Sequence, residues 1–160
     1  MAGVANVLTG IMGAAMTMGL ALAGGSHLAP RFAEAEQTAK AAMVITAVRQ
    51  TGHAVTMASA LDGGVKTGLE GTRSLISSGW LLSAPTNPTS DQPAASPVLS
   101  IGRDGTRFVT MPLIADDGTL CRAVAQQSGA PGTVHGVDAD APLSGCAVDD
   151  QGRPMAFMKV

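Results

Sequence analysis

From Met1 to Pro30 the chain carries no Asp, Glu, Lys or Arg, and His27 is its one titratable side chain. About 20 consecutive apolar residues suffice to cross a bilayer as a helix, so this stretch restricts the chain to few architectures. A retained membrane span is one reading. A segment exposed after removal of a basic leader upstream of Met1 is another, because no basic residue precedes the apolar run as a cleavable signal would require. The competing reading is a buried helical hairpin in a soluble fold, where so long a run without charge is rare.

Small residues within this stretch recur at helical spacing: Gly10 with Ala14, Ala15 with Gly19, Gly19 with Ala23, and Ala21 with Gly25. Pairs of this kind let helix backbones approach closely, and close packing drives helix association where the surroundings are as apolar as the helix itself. Val4, Leu8, Ile11, Met12, Met16, Leu20 and Leu22 make the apolar character run nearly all round the helix, the pattern of a span or of a bundle centre. Gly24, Gly25 and Pro30 are expected to loosen or kink it, since Gly costs about 1 kcal/mol and Pro about 3 kcal/mol in a helix interior. Pro30 also biases Ala29 away from helical geometry.

Charges begin at Arg31, and the Ala-rich text from there to Gln50 reads as a second helical stretch. Glu36 and Lys40 stand four apart, with Ala35, Ala39, Ala42 and Thr46 as a small-residue stripe and Val44, Ile45 and Val48 as an apolar edge. Joined, the two stretches make a helix of about 50 residues, on the order of 75 Å long at 1.5 Å per residue. The expected organisation is therefore residues 1–30 as the apolar half-helix and residues 31–160 as the amphipathic half-helix plus a globular head.

Beyond Gln50, glycines break the pattern around a short helix near Leu69–Ser78, and Pro85, Pro88, Pro93 and Pro97 mark an ordered surface loop. Val98–Gly102 and Thr106–Ile114 flank a turn at Arg103-Asp104-Gly105 and predict a hairpin. Asp116 or Asp117 is placed to cap a short helix through Cys121 that Gly129 and Pro131 end. A strand near Thr133–Val137 and a last hairpin, turning at Gln151-Gly152, complete the pattern. The predicted class is α+β: a long N-terminal helix packed on a small antiparallel sheet.

Composition narrows the function. One Trp, three Phe and no Tyr leave no aromatic platform for bases or sugars, and a net charge of −2 offers no basic face, so nucleic acid is not an expected partner. His27, His53 and His135 form no HxxxH or HExxH pair, and the His135–Asp140 run reads as readily as a surface turn as a cation site. Ser77-Ser78-Gly79 is turn-like and lacks a nucleophile elbow. No catalytic, metal or cofactor site is expected, and the chain does not read as an enzyme. Cys121 and Cys146 form no CxxC motif: in an exported protein they read as one disulfide, in a reducing compartment as two free thiols.

Taken in order, an uncharged apolar N-terminal segment starting at Met1, a long helix to about Gln50, the stretch SLISSGWLLSAPTNP, a Cys in LCRAVAQQSG and a second Cys near a strand-forming C-terminus resemble type IV pilins, and more closely the type IVb branch that includes the toxin-coregulated pilins. The resemblance implies cleavage by prepilin peptidase, methylation of the Met1 amine, and residence in the inner membrane before the pilus assembly machinery adds the subunit to an extracellular homo-oligomeric helical filament. It further implies a Cys121–Cys146 disulfide in the head and filament-core packing through Gly10, Ala14, Ala15, Gly19 and Ala23. Gly24, Gly25 and Pro30 would mark where the helix loosens on packing. Ala5 stands where most major pilins carry Glu to neutralise a neighbour's N-terminal amine. The alternatives are a different mature start, a minor pilin or pseudopilin, or another means of satisfying the amine. A single-span exported binding domain that never polymerises is the remaining non-enzymatic reading.

Overall fold

A computed structural model describes the backbone of residues 3–61, 63–90, 92, 95–114 and 118–160, and the side chains from residue 30 onward. Its contacts divide the chain into two units, residues 1–36 and residues 37–160. The order of elements is α1 (Gly3–Leu61), α2 (Gly68–Ser77), β1 (Val98–Ile101), β2 (Arg107–Pro112), α3 (Thr119–Gln127), β3 (Val134–His135), β4 (Ser144–Val148) and β5 (Pro154–Lys159).

Helix α1 is not interrupted at Gly24 or Gly25, and Pro30 lies inside it. Ala29, expected to leave helical geometry ahead of Pro30, stays helical; a proline inside a helix removes one backbone bond yet can be carried when the turns on both sides persist. Among the described residues no helix is long and apolar enough to cross a membrane. The expected span rests on side chains in residues 1–29, which lie outside those described.

In the unit 37–160, the C-terminal part of α1 is the spine of an α+β head. Ala41, Val44, Val48, Val55 and Ala58 are all buried and fall on one helical face at spacings of three, four and seven. The buried face continues to Ala58 and the helix to Leu61, past the expected limit at Gln50, despite Gly52 and its poor intrinsic helix propensity. Tertiary packing explains the difference: a Cβ on Gly52 would stand 3.0 Å from Met158 Sδ and 3.3 Å from Val160 Cγ1, so the glycine lets β5 close onto the helix.

The sheet has the order β1-β2-β5-β4-β3. The first three pairings, β1–β2, β2–β5 and β5–β4, are antiparallel, whereas β3 joins β4 in parallel through two residues. The sheet is thus mixed where a purely antiparallel one was expected. The chain leaves α3, reaches the sheet edge at β3, and must cross back before β4 begins, which imposes the parallel sense there. Along β2 the side chains alternate in face: Val109 and Met111 join the core with α1, and Phe108, Thr110 and Pro112 turn to the other side.

Helix α3 packs on β4, where Cys121 and Cys146 form a disulfide with a Cα–Cα distance of 5.4 Å. Gly118 occupies the N-cap position of α3 at φ 92°, a left-handed conformation that glycine adopts without strain; Asp116 and Asp117, expected to cap it, lie outside the described residues.

Candidate assembly surface

The unit 37–160 presents two apolar concavities on opposite layers. The first runs along α1. Met43, Gln50 and Met57 stand seven residues apart on the exposed flank of the helix, facing the loop Trp80–Thr86. Helix and loop enclose two adjoining stretches of about 460 Å³ and about 650 Å³, which share Gln50 and Ser83. Met43 is 59% and Met57 52% exposed, and Leu82 on the facing loop is fully exposed at 101%. The loop owes its course to the end of α2, where Trp80 and Leu81 backbone amides both donate to the Leu75 carbonyl.

The second concavity lies on the sheet face turned away from α1. Ser100, Phe108, Thr110, Pro112 and Met155 contribute to a cavity of about 730 Å³, with Ile114 at its rim. Ser100 Oγ and Thr110 Oγ1 share a hydrogen bond of 3.1 Å at its floor. The segment Gly136–Pro142 straps the neighbouring part of this face. Lys159 Nζ donates to the carbonyls of Ala139 and Ala141, and the Ala139 amide donates to Asp104 Oδ2. Arg103, in the β1–β2 turn, pairs with Asp150 in the β4–β5 turn, and Arg153 pairs with Asp149 at 2.8 Å.

Two turn carboxylates titrate below the ordinary aspartate range. Asp104 is held down first by the Thr106 hydroxyl and then by the Thr106 amide. Asp149 is held down first by the Arg153 amide, against the opposing effect of partial desolvation. In both, the hydrogen bonds are made to the ionised form and therefore favour it.

Asn87 organises the proline-rich loop. It is buried, its Nδ2 donates to the carbonyls of Ala95 and Pro112 at 2.8 Å each, and its Oδ1 accepts from the Thr89 amide and hydroxyl. These bonds tie Asn87 and Thr89, in the part of that loop that is described, to Ala95 and Pro112.

Of the residues singled out in the sequence, Cys121 and Cys146 are brought together. His53 is exposed on the α1 flank and His135 is exposed in β3. Asp138 accepts from the amides of Asp140 and Ala141, which forms a turn at the end of the His135–Asp140 run, whose first residue lies in β3. No group of three His, Cys, Asp or Glu placed to hold a metal ion occurs among the described residues. Ser77 donates to the Ser74 carbonyl at the end of α2. Met1, together with the side chains of Gly10, Ala14, Ala15, Gly19, Ala23 and His27, lies outside the described residues and side chains. The Met43–Gln50–Met57 flank was missed in the sequence although its seven-residue spacing is visible there. The sheet cavity had no such signal, because it is assembled by strand order.

Compared with protein-family models, curated proteins and solved structures, the chain matches none.

Proposed function

We propose that this chain is a structural subunit of a type IVb-like pilus filament, which polymerises through its apolar N-terminal segment and displays the unit 37–160 on the outside. The observation that carries the reading is the continuity of one helix, Gly3–Leu61, from a stretch without a single Asp, Glu, Lys or Arg up to Pro30 into the buried spine of a head domain. A head of this kind, closed by a Cys121–Cys146 disulfide, suits an oxidising, extracellular setting. The residues Gly10, Ala14, Ala15, Gly19 and Ala23 are assigned to helix–helix packing in the filament core, where close approach needs small side chains.

The experiment is filament recovery by shearing from cells that produce Gly10→Leu or Gly19→Leu chains. Both variants are expected to lose filaments while the head remains folded and disulfide-bonded. Normal filament yield from both would remove the proposed packing. A second reading, a membrane-anchored exported binding domain that does not polymerise, draws on the 730 Å³ sheet cavity, whose size suits a small ligand. It predicts that even the unaltered chain stays in the membrane fraction.

A further inference from the structure

We infer that the cavity on the sheet face turned away from α1 receives the Leu82 loop of a second copy of this chain, an inference that rests on the filament reading. Leu82 is fully exposed, and the sequence from Ser74 to Ser90 around it carries no Asp, Glu, Lys or Arg. This loop borders α1, which covers one face of the sheet, while the cavity opens on the other. Leu82 therefore cannot fill the cavity of its own chain.

Charge matches the two surfaces. The cavity presents Phe108, Pro112, Met155 and the partly exposed Ile114. Two charged side chains, Asp149 and Arg153, line it and are paired with each other, and among the described residues Asp150 pairs with Arg103 close by. A neutral apolar side chain entering there leaves every one of these charges matched, whereas a charged one would be buried without a partner. At about 730 Å³ the cavity has room for Leu82 with a neighbouring residue of its loop. Because knob and hole lie on opposite layers, the contact is heterologous: it propagates from copy to copy in a ring or an open helix and does not close as a two-fold dimer.

The test uses the full chain in producing cells. Leu82→Cys and Met155→Cys placed in the same chain are expected to yield, in sheared filaments, a ladder of disulfide-linked multimers on non-reducing gels that neither single variant gives. Leu82→Asp is expected to lower filament yield by about tenfold or more, the scale of burying an unpaired charge, while Leu82→Met restores it and the Cys121–Cys146 bond forms in both. Filaments without the ladder, or normal filament yield from Leu82→Asp, would overturn the inference and leave the filament reading standing. So would Met155→Asp chains that still form filaments but no longer take up an apolar fluorescent dye, which would make the cavity a small-ligand site. Absence of filaments from the unaltered chain would overturn both.

Discussion

Opening the Cys121–Cys146 bridge by replacing both cysteines with alanine should destabilise the head by about 3.5 kcal/mol. The two residues are 25 apart in sequence, and the chain-entropy relation for a loop of that length gives about 3.5 kcal/mol at 25 °C. Cys121 is 2% and Cys146 0% exposed, so alanine keeps both sites apolar and leaves only small voids. Serine in their place would add about 1–3 kcal/mol for each buried hydroxyl left without a partner. Trp80 is the only tryptophan and packs against the core, which makes its fluorescence a reporter for urea unfolding. With a slope of about 1.5 kcal/mol per molar urea, the midpoint should fall by about 2 M. The unaltered chain under reductant should unfold at the same midpoint as the alanine pair. A loss below about 1 kcal/mol for the alanine pair would refute the assignment of the bridge as a main constraint on the unfolded chain.

Val44→Ala should cost about 2 kcal/mol by the same assay, from two lost methyl groups plus a residual void, whereas Met43→Ala, half-exposed one residue earlier, should stay within about 0.5 kcal/mol; equal effects would contradict the helical face assigned to α1. Asn87→Ala should cost about 3 kcal/mol, because it strips partners from the Ala95 and Pro112 carbonyls and from the Thr89 amide, and it should make the loop around Thr86–Ser90 susceptible to protease. The pH dependence follows from Asp104 and Asp149, whose pKa values are lowered on folding. Their contribution is fully present above the unfolded-state aspartate value of about 3.9 and is lost as pH falls through the lower folded values. Replacing both with Asn should therefore flatten the acid limb of stability against pH, and an unchanged limb would contradict the turn geometry.

How much of this was legible in the sequence depended on whether the signal was local. The hairpin around Arg103-Asp104-Gly105, the α3 helix through Cys121 and the last hairpin at Gln151-Gly152 all follow from turn residues and short-range pattern, and they occur where that pattern put them. The end of α1 was misplaced because Gly52 and His53 look like loop text locally. What keeps them helical is β5, brought onto Gly52 from the other end of the chain. The parallel β3–β4 pairing was invisible for a similar reason, since two residues carry no periodicity. The sheet cavity depends on β1, β2 and the β4–β5 turn meeting through strand order. The disulfide was a sequence expectation for a long-range contact, because its two cysteines had no other partners of their kind.

The central claim, a secreted and polymerised subunit, is tested most directly by non-reducing intact mass spectrometry on material sheared from producing cells. The expected result is an abundant species that begins at Met1, is methylated there, and is lighter by two hydrogens for one disulfide. A chain confined to the membrane fraction, unmethylated or carrying additional upstream sequence, would contradict it.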